Sequence, residues 1–301
     1  MDITIVIPVF NRKDYIEQTL RSIPAEYPVI LVDNGSSDGS LELITRLARQ
    51  RAGTTVTVEH TPGAAAARNK GLSLCRSRWV YFFDSDDIFT ALPATWDDTA
   101  DMVCIPTRQQ IGGKPHTRAY SPVKTPHTHI LNSMLNTPSM IFSTAFLRQI
   151  GGWDSRCLIW DDWELGLRAL LMASHVEWLT SKAYHTILIH PDSLTGSSLS
   201  SRIDQLTDTL AIAFDDIQRI QPQNLAAFAA LFFRCYIMSG QMLHEGRPDA
   251  SRRVHEFIST RFSVNRQSHQ MGRLLEWAAS RGIRGTWRLA LWVVNARYKT
   301  N

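Results

Sequence analysis

Apolar runs and helically spaced apolar residues alternate through the first third of the chain. Ile3–Val9 is a short apolar run closed by Pro8, Val9, Phe10 and Asn11, which predicts a buried strand with a polar end. Tyr15, Ile16, Leu20 and Ile23 then recur at helical spacing, so a helix is predicted from about Lys13 to Ser22. Val29–Val32 predicts a second buried strand, ending in Asp33-Asn34-Gly35-Ser36-Ser37-Asp38-Gly39. Ser37 or Asp38 can cap the following helix, whose apolar stripe is Leu41, Leu43, Ile44 and Leu47. Thr54–Val58 makes a third strand, and Thr61-Pro62-Gly63 opens an alanine-rich helix through Leu74. Trp79–Phe83, aromatic and β-branched, predicts a fourth buried strand. Strands separated by helices imply a parallel sheet with right-handed crossovers.

The pattern weakens in the middle and becomes helical at the end. Short strands are predicted at 101–106 and 139–142, with a turn at Gly112-Gly113 and a loop over about 114–127. Phe146–Gly152 should end a helix at the pair Gly151-Gly152, and another should run from Asp161 or Asp162 to about Ala173. Val176–Leu179 and Tyr184–Ile189 read as extended. After Ser200, helices are predicted at 203–220, 225–243, 250–260 and 271–279, with a basic and aromatic segment over 281–299. The expected organisation is two α/β halves, 1–100 and 101–200, and a helical region, 201–301.

Composition narrows the function classes. With 301 residues, 44% hydrophobic and 20% charged, the chain can bury a full core. A net charge of +4 is too small and too scattered to argue for nucleic acid. Cys75, Cys104, Cys157 and Cys235 lie far apart without a CxxC pair, against a disulfide framework or a zinc knuckle. An acid at Asp2 and a short apolar run do not suit a signal peptide, and no apolar stretch approaches transmembrane length. A cytosolic protein is expected. The 281–299 segment suits peripheral contact with anionic lipid as well as packing on the helical region.

The chemistry gathers where strands stop. Trp79–Phe83 runs into Asp84, Asp86 and Asp87, three carboxylates within four residues. Like charges this close call for something positive, and a hard divalent cation is the natural partner. In a parallel sheet the polar ends Phe10-Asn11, Asp33 and Asp84–Asp87 share one edge, so they can converge on one ligand.

Pro8-Val9-Phe10-Asn11-Arg12, Val32-Asp33-Asn34-Gly35-Ser36-Ser37-Asp38-Gly39, Gly63-Ala64-Ala65-Ala66-Ala67-Arg68-Asn69-Lys70-Gly71 and Phe83-Asp84-Ser85-Asp86-Asp87 together resemble the family 2 glycosyltransferases. The resemblance implies a GT-A type α/β fold: a mixed, mostly parallel sheet flanked by helices, here followed by a C-terminal helical region. It further implies a nucleotide-diphosphate-sugar donor, a divalent cation (Mn²⁺ or Mg²⁺) and inversion at the anomeric carbon. Pro8, Phe10, Asn11, Asp33, Arg68, Asp84 and Ser85 would then hold the nucleotide, with Asp33 reading the base. Asp86 would bind the metal, and His190 resembles a late histidine that completes metal or diphosphate binding. Trp160-Asp161-Asp162-Trp163-Glu164 resembles the family's Glu-Asp acceptor motif, which places the general base on Asp162 and its support on Asp161. Asp161 stands where the family has Glu, a shorter side chain. Trp153 and Trp160 can offer faces to a glycan or lipid-linked acceptor. UDP is the expected nucleotide, with GDP and dTDP on the same scaffold. Two readings from other classes compete: a catalytically silent sugar-nucleotide or glycan-binding module, and a phosphatase using Asp84 and Asp86. A phosphatase carries its Asp-x-Asp after the first strand, not the fourth.

Overall fold

The structure, a computed structural model, describes residues 2–111, 114–116, 122–180, 184–189 and 199–298. In chain order the strands are β1 (Ile3–Val9), β2 (Val29–Asp33), β3 (Thr54–Val58), β4 (Trp79–Phe82), β5 (Ile88–Phe89), β6 (Met102–Cys104), β7 (Arg108–Ile111), β8 (Lys114–His116), β9 (Met140–Ser143), β10 (Val176–Trp178) and β11 (His185–Ile189). The α-helices are α1 (Ile16–Ser22), α2 (Ser40–Gln50), α3 (Ala64–Leu74), α4 (Pro126–Leu131), α5 (Thr144–Gln149), α6 (Asp161–Met172), α7 (Ile203–Ile220), α8 (Leu225–His244), α9 (Pro248–Arg261), α10 (Arg266–Ser280) and α11 (Thr286–Arg297).

The chain divides into two compact units, one of residues 1–122, 135–155 and 172–196, the other of 123–134, 156–171 and 197–301. The first holds a seven-stranded sheet in the order β10-β6-β9-β4-β1-β2-β3 and a four-stranded sheet β5-β11-β7-β8. β1 pairs in parallel with both β2 and β4, and β2 with β3. β9 alone runs against its neighbours β4 and β6, so the large sheet is mixed and mostly parallel, as expected. Its middle strands are buried on both faces, which is why β1, β2 and β4 read as unbroken apolar runs. The outer strand β3 is half-buried and accordingly threonine-rich. α3 lies so close to β1 that a Cβ on Gly71 would fall 2.2 Å from Val6 Cγ1. That contact explains a glycine inside an alanine helix.

In the second unit α8 is the centre, with α4, α7, α9, α10 and α11 packed on it. Leu206, Leu210, Ala230, Leu231, Val254, Leu275, Ala290 and Val294 form much of this core. Contrary to the sequence expectation, α8 is long and apolar enough to cross a membrane, with a mean hydropathy of 1.3 over its window. That window is 72% buried inside the unit, which accounts for its composition.

Other expectations need correction. The strand expected over Trp79–Phe83 ends at Phe82. α1 starts at Ile16 rather than Lys13, because Tyr15 and Ile16 first close a turn onto the Arg12 carbonyl. The loop expected over 114–127 holds β8, paired with β7 in a ladder that mixed polar residues did not announce, and the start of α4. The turn at Gly112-Gly113 lies outside the described residues.

Candidate active site

At the edge where β1, β2 and β4 end, the loops that follow β1, β2 and β3 are tied to one another. Asn11 follows β1 in a left-handed conformation, φ +51°, and its amide donates to Ser36 Oγ at 3.1 Å. Its side-chain oxygen accepts from the Ser37 amide at 2.8 Å. The Lys13 amide donates to Asp38, which also accepts from the Ser40 amide. Asn34 reaches the next loop, donating to the carbonyls of Glu59 and Thr61 and accepting from the Gly63 amide at 2.7 Å. Phe10 is left 56% exposed at the rim, an aromatic ring with no core to justify it.

Asp33 closes β2. Its Oδ2 accepts from the amides of Gly35 at 3.0 Å and Ser36 at 3.1 Å, which shapes the turn. Its Oδ1 is buried and has no hydrogen-bond partner. A buried acceptor in that condition costs about 1–3 kcal/mol. One oxygen builds the loop and the other is buried without a donor.

β4 delivers the acidic cluster. Arg68, on α3 and 6% exposed, donates to Asp84 Oδ1 at 2.9 Å, and its guanidinium lies 4.3 Å from the Trp153 ring centre. Trp153 is itself buried, edge-on to Phe82 and clamped at its amide and carbonyl by the Asn69 side chain. The ring expected to offer a face to an acceptor instead supports Arg68. The Ser85 carbonyl accepts from Thr19, which fixes the turn. Asp86 is paired with Arg12, Nε to Oδ2 at 3.2 Å. Asp87 is buried, accepts from the Leu188 amide, and leaves Oδ2 without a partner. Burial, with the charges of Asp84 and Asp86, pushes its carboxyl well above the usual range. Below it, burial likewise raises the Tyr81 hydroxyl, which lies 2.9 Å from His185 Nε2.

Among the described residues no three acid, histidine or cysteine side chains cluster as a metal cage. A divalent ion does not require one. Mg²⁺-type ions keep much of their shell as water and ligand phosphate, with one or two protein carboxylates. Asp84 and Asp86 are oxygen donors of that kind, so the residues fit an ion brought in with a diphosphate. His190 lies outside the described residues.

In the second unit, Trp160 precedes α6 in the left-handed region, φ +57°, an unusual conformation for an aromatic residue. Its carbonyl accepts the Glu164 amide, and its ring sits 5.5 Å from Trp163 and 5.0 Å from Arg234. Asp161 and Asp162 form the first turn, each accepting the amide of the next residue, at 3.0 and 2.7 Å. The helix dipole favours acids there. Beneath them His129 stacks on Trp163 and meets its carbonyl at 2.9 Å. Glu164 is fully buried against Arg168, at 2.6 and 2.8 Å. Burial pushes Glu164 up to about 7, although Arg168 pulls it down.

The structure thus brings Phe10, Asn11, Asp33, Arg68, Asp84, Ser85, Asp86 and Trp153 into one unit, and Trp160, Asp161 and Asp162 into the other. Pro8 lies within β1, paired with Val32. Sequence reasoning gave no role to Arg12, Asn34, Asn69 or Arg234. The first three lie inside or beside the motif blocks, where a polar residue at a strand end or helix face was the available signal. Arg234 sits in an apolar helix far along the chain, and only the fold brings it to Trp160.

Known proteins resemble this chain in part of its sequence and in its fold. Residues 4–149 match the profile of Glycosyl transferase family 2. A putative teichuronic acid biosynthesis glycosyltransferase, TuaG of Bacillus subtilis, is 34% identical over 90 residues, covering 28% of this chain and 36% of that protein. A poly(ribitol-phosphate) beta-glucosyltransferase of Bacillus spizizenii is 35% identical over 96 residues, covering 29% and 15%. A cholesterol galactosyltransferase of Borreliella burgdorferi is 31% identical over 116 residues, covering 34% and 31%. The chain therefore matches little more than a third of these relatives' lengths at most. Among solved structures, Staphylococcus aureus TarS 1–349 in complex with UDP-GlcNAc superposes with a TM-score of 0.70 at 17% identity, over 100% of this chain and 93% of that one. The mannosyltransferase PcManGT of Pyrobaculum calidifontis, in complex with GDP-Man and Mn²⁺, gives 0.55 at 17% identity, over 100% and 88%. At these identities the likeness is one of fold, and the fold is of GT-A type. Residues 4–149, which carry every one of the strand ends described above, are the part of the chain similar to glycosyl transferase family 2.

Proposed function

We propose that the protein is an inverting glycosyltransferase that moves a sugar from a nucleoside-diphosphate donor to a hydroxyl of a glycan or lipid-linked acceptor. The observation that carries the reading is the convergence of three strand ends on one edge, with a buried, unpartnered Asp33 oxygen at its heart. Asp33 accepts a hydrogen bond from the base, and Phe10 covers the base from the rim. Arg68 holds Asp84 toward the ribose, on the rigid platform of Trp153 and Asn69. Asp86, with Asp84 beside it, would hold a divalent ion, and Arg12 positions the Asp86 carboxylate. When bound, that ion supplies Lewis-acid stabilisation of the diphosphate leaving group. UDP is the favoured nucleotide, because TarS is similar in fold and was solved with UDP-GlcNAc and with UDP. The PcManGT complex keeps GDP in play.

Asp162 acts as general base. It takes the proton of the incoming hydroxyl while the sugar's bond to the diphosphate breaks on the opposite face, so the anomeric configuration inverts. Asp161 supports it by holding the Asp162 amide. Asp162→Asn keeps the shape and the bond to the Trp163 amide but cannot accept a proton. Transfer, read as release of nucleoside diphosphate, should fall by roughly 10²–10⁴ while donor affinity stays within a few-fold. A larger loss in Asp161→Asn places the base one residue earlier. Donor binding without turnover in the parent protein, with or without acceptor sugars, makes it a silent binding module.

A further inference from the structure

We propose that the corner between α10 and α11 is a docking surface for a bilayer rich in anionic lipid, independent of the donor chemistry above. The inner faces of both helices are used up by the core: Leu275 and Ala279 on α10, and Ala290 and Val294 on α11, are buried. Outside that core, sixteen consecutive residues leave Trp277 53%, Ile283 49%, Leu289 41% and Trp292 67% exposed. Four large apolar side chains exposed within one short stretch of chain are candidates for a contact site.

The charged residues within this stretch are of one sign. Arg281, Arg284 and Arg288 are exposed in the same stretch, and no acid occurs between Trp277 and Arg297. Arg281 lies 5.9 Å from the Trp277 ring centre and Arg288 5.3 Å from that of Trp287, so guanidinium and indole are already side by side. Along the chain the nearest acid, Glu276, turns inward to His255 and Ser239, while the exposed Glu245 follows His244, which meets the Ser280 carbonyl. Gly282 and Gly285, both at positive φ, make the turn that presents Ile283 between the helices.

This combination selects a lipid surface over a second copy of the chain. A two-fold contact would gather both copies' arginines into one interface with no acid from this stretch to offset them. Indole rings rest at the headgroup level of a bilayer, and arginines there meet lipid phosphates.

The test is co-sedimentation of the full chain with phosphatidylcholine vesicles, neat or with roughly 30% phosphatidylglycerol as the anionic lipid. Binding is expected to the anionic vesicles only, and to weaken at least ten-fold between about 0.15 M and about 1 M salt, where screening shortens from about 8 Å to about 3 Å. The combined variant Arg281→Gln, Arg284→Gln, Arg288→Gln should lose on the order of 10²-fold in partitioning. Trp277→Ser with Trp292→Ser should weaken binding with the charge intact, and circular dichroism should show both variants folded, since every altered side chain is exposed. No binding to anionic vesicles overturns the proposal, as does equal binding by the arginine variant. A dimer in sedimentation equilibrium that Trp292→Ser dissolves, without vesicle binding, assigns the corner to a second copy and also overturns it.

Discussion

Asp33 divides its carboxylate: Oδ2 takes the amides of Gly35 and Ser36, and Oδ1 is buried with nothing to accept. A fold tolerates such a cost where a ligand removes it. Asp33→Asn should therefore weaken nucleoside diphosphate binding by roughly 10- to 100-fold, the worth of a hydrogen bond to a charged group. Titration calorimetry measures it, and an unchanged dissociation constant would return Asp33 to the role of a turn residue. Much at this scale was readable beforehand. Phe10-Asn11, Asp33, Asp84 and Asp86 stood out as the ends of apolar strands, whereas Arg68, inside the alanine helix, stood out only through the family resemblance. What escaped was the second partner of each: Arg12 for Asp86, Asn69 for Trp153, Arg234 for Trp160. Those pairings follow from packing across the fold, which linear spacing does not encode.

Between elements, two buried histidines act as cross-ties. His185 on β11 meets Tyr81 of β4, and His129 on α4 meets the Trp163 carbonyl of α6. Burial pushes His185 down to about 3 and His129 down to about 4, so both are neutral in the fold. Unfolded, each titrates near the ordinary 6.5. The unfolded chain then binds more protons across that interval, so stability is complete above about pH 6.5 and is lost as pH falls toward 4 and then 3. At pH 5 each histidine should cost about 2 kcal/mol. Glu164, pushed up to about 7, and Asp87, also pushed up by burial, take up protons in the fold over the same interval and oppose this loss, so the test is the difference between parent and variant. His185→Gln should have a lower urea midpoint at pH 7.5, and the gap to the parent should close toward pH 5; a gap that stays constant with pH contradicts the neutral assignment of His185. At the element scale the long periodic segments were legible: the strands β1 to β4, the alanine helix, and the helices after residue 200. The small sheet was not, because β5 and β8 are two and three residues long and their pairing partners are distant in sequence.

For the whole molecule, the order of strands does what no single motif does. β1 lies between β2 and β4, so segments separated by dozens of residues end side by side. The sequence pattern anticipated that edge; it did not anticipate β9 running antiparallel between β4 and β6, since a strand's direction leaves no trace in its apolar run. The central claim is that this edge binds a nucleoside diphosphate with a divalent ion through Asp86. The direct measurement is the thermal midpoint with UDP, GDP and dTDP, each with and without Mn²⁺, for the parent protein and Asp86→Ala. One nucleotide should raise the parent's midpoint in the presence of Mn²⁺, consistent with about 2.7 kcal/mol at a hundred-fold excess over Kd. The rise should vanish without the ion and in the variant. Stabilisation by none of the three, or equal metal-dependent stabilisation in Asp86→Ala, would contradict the account.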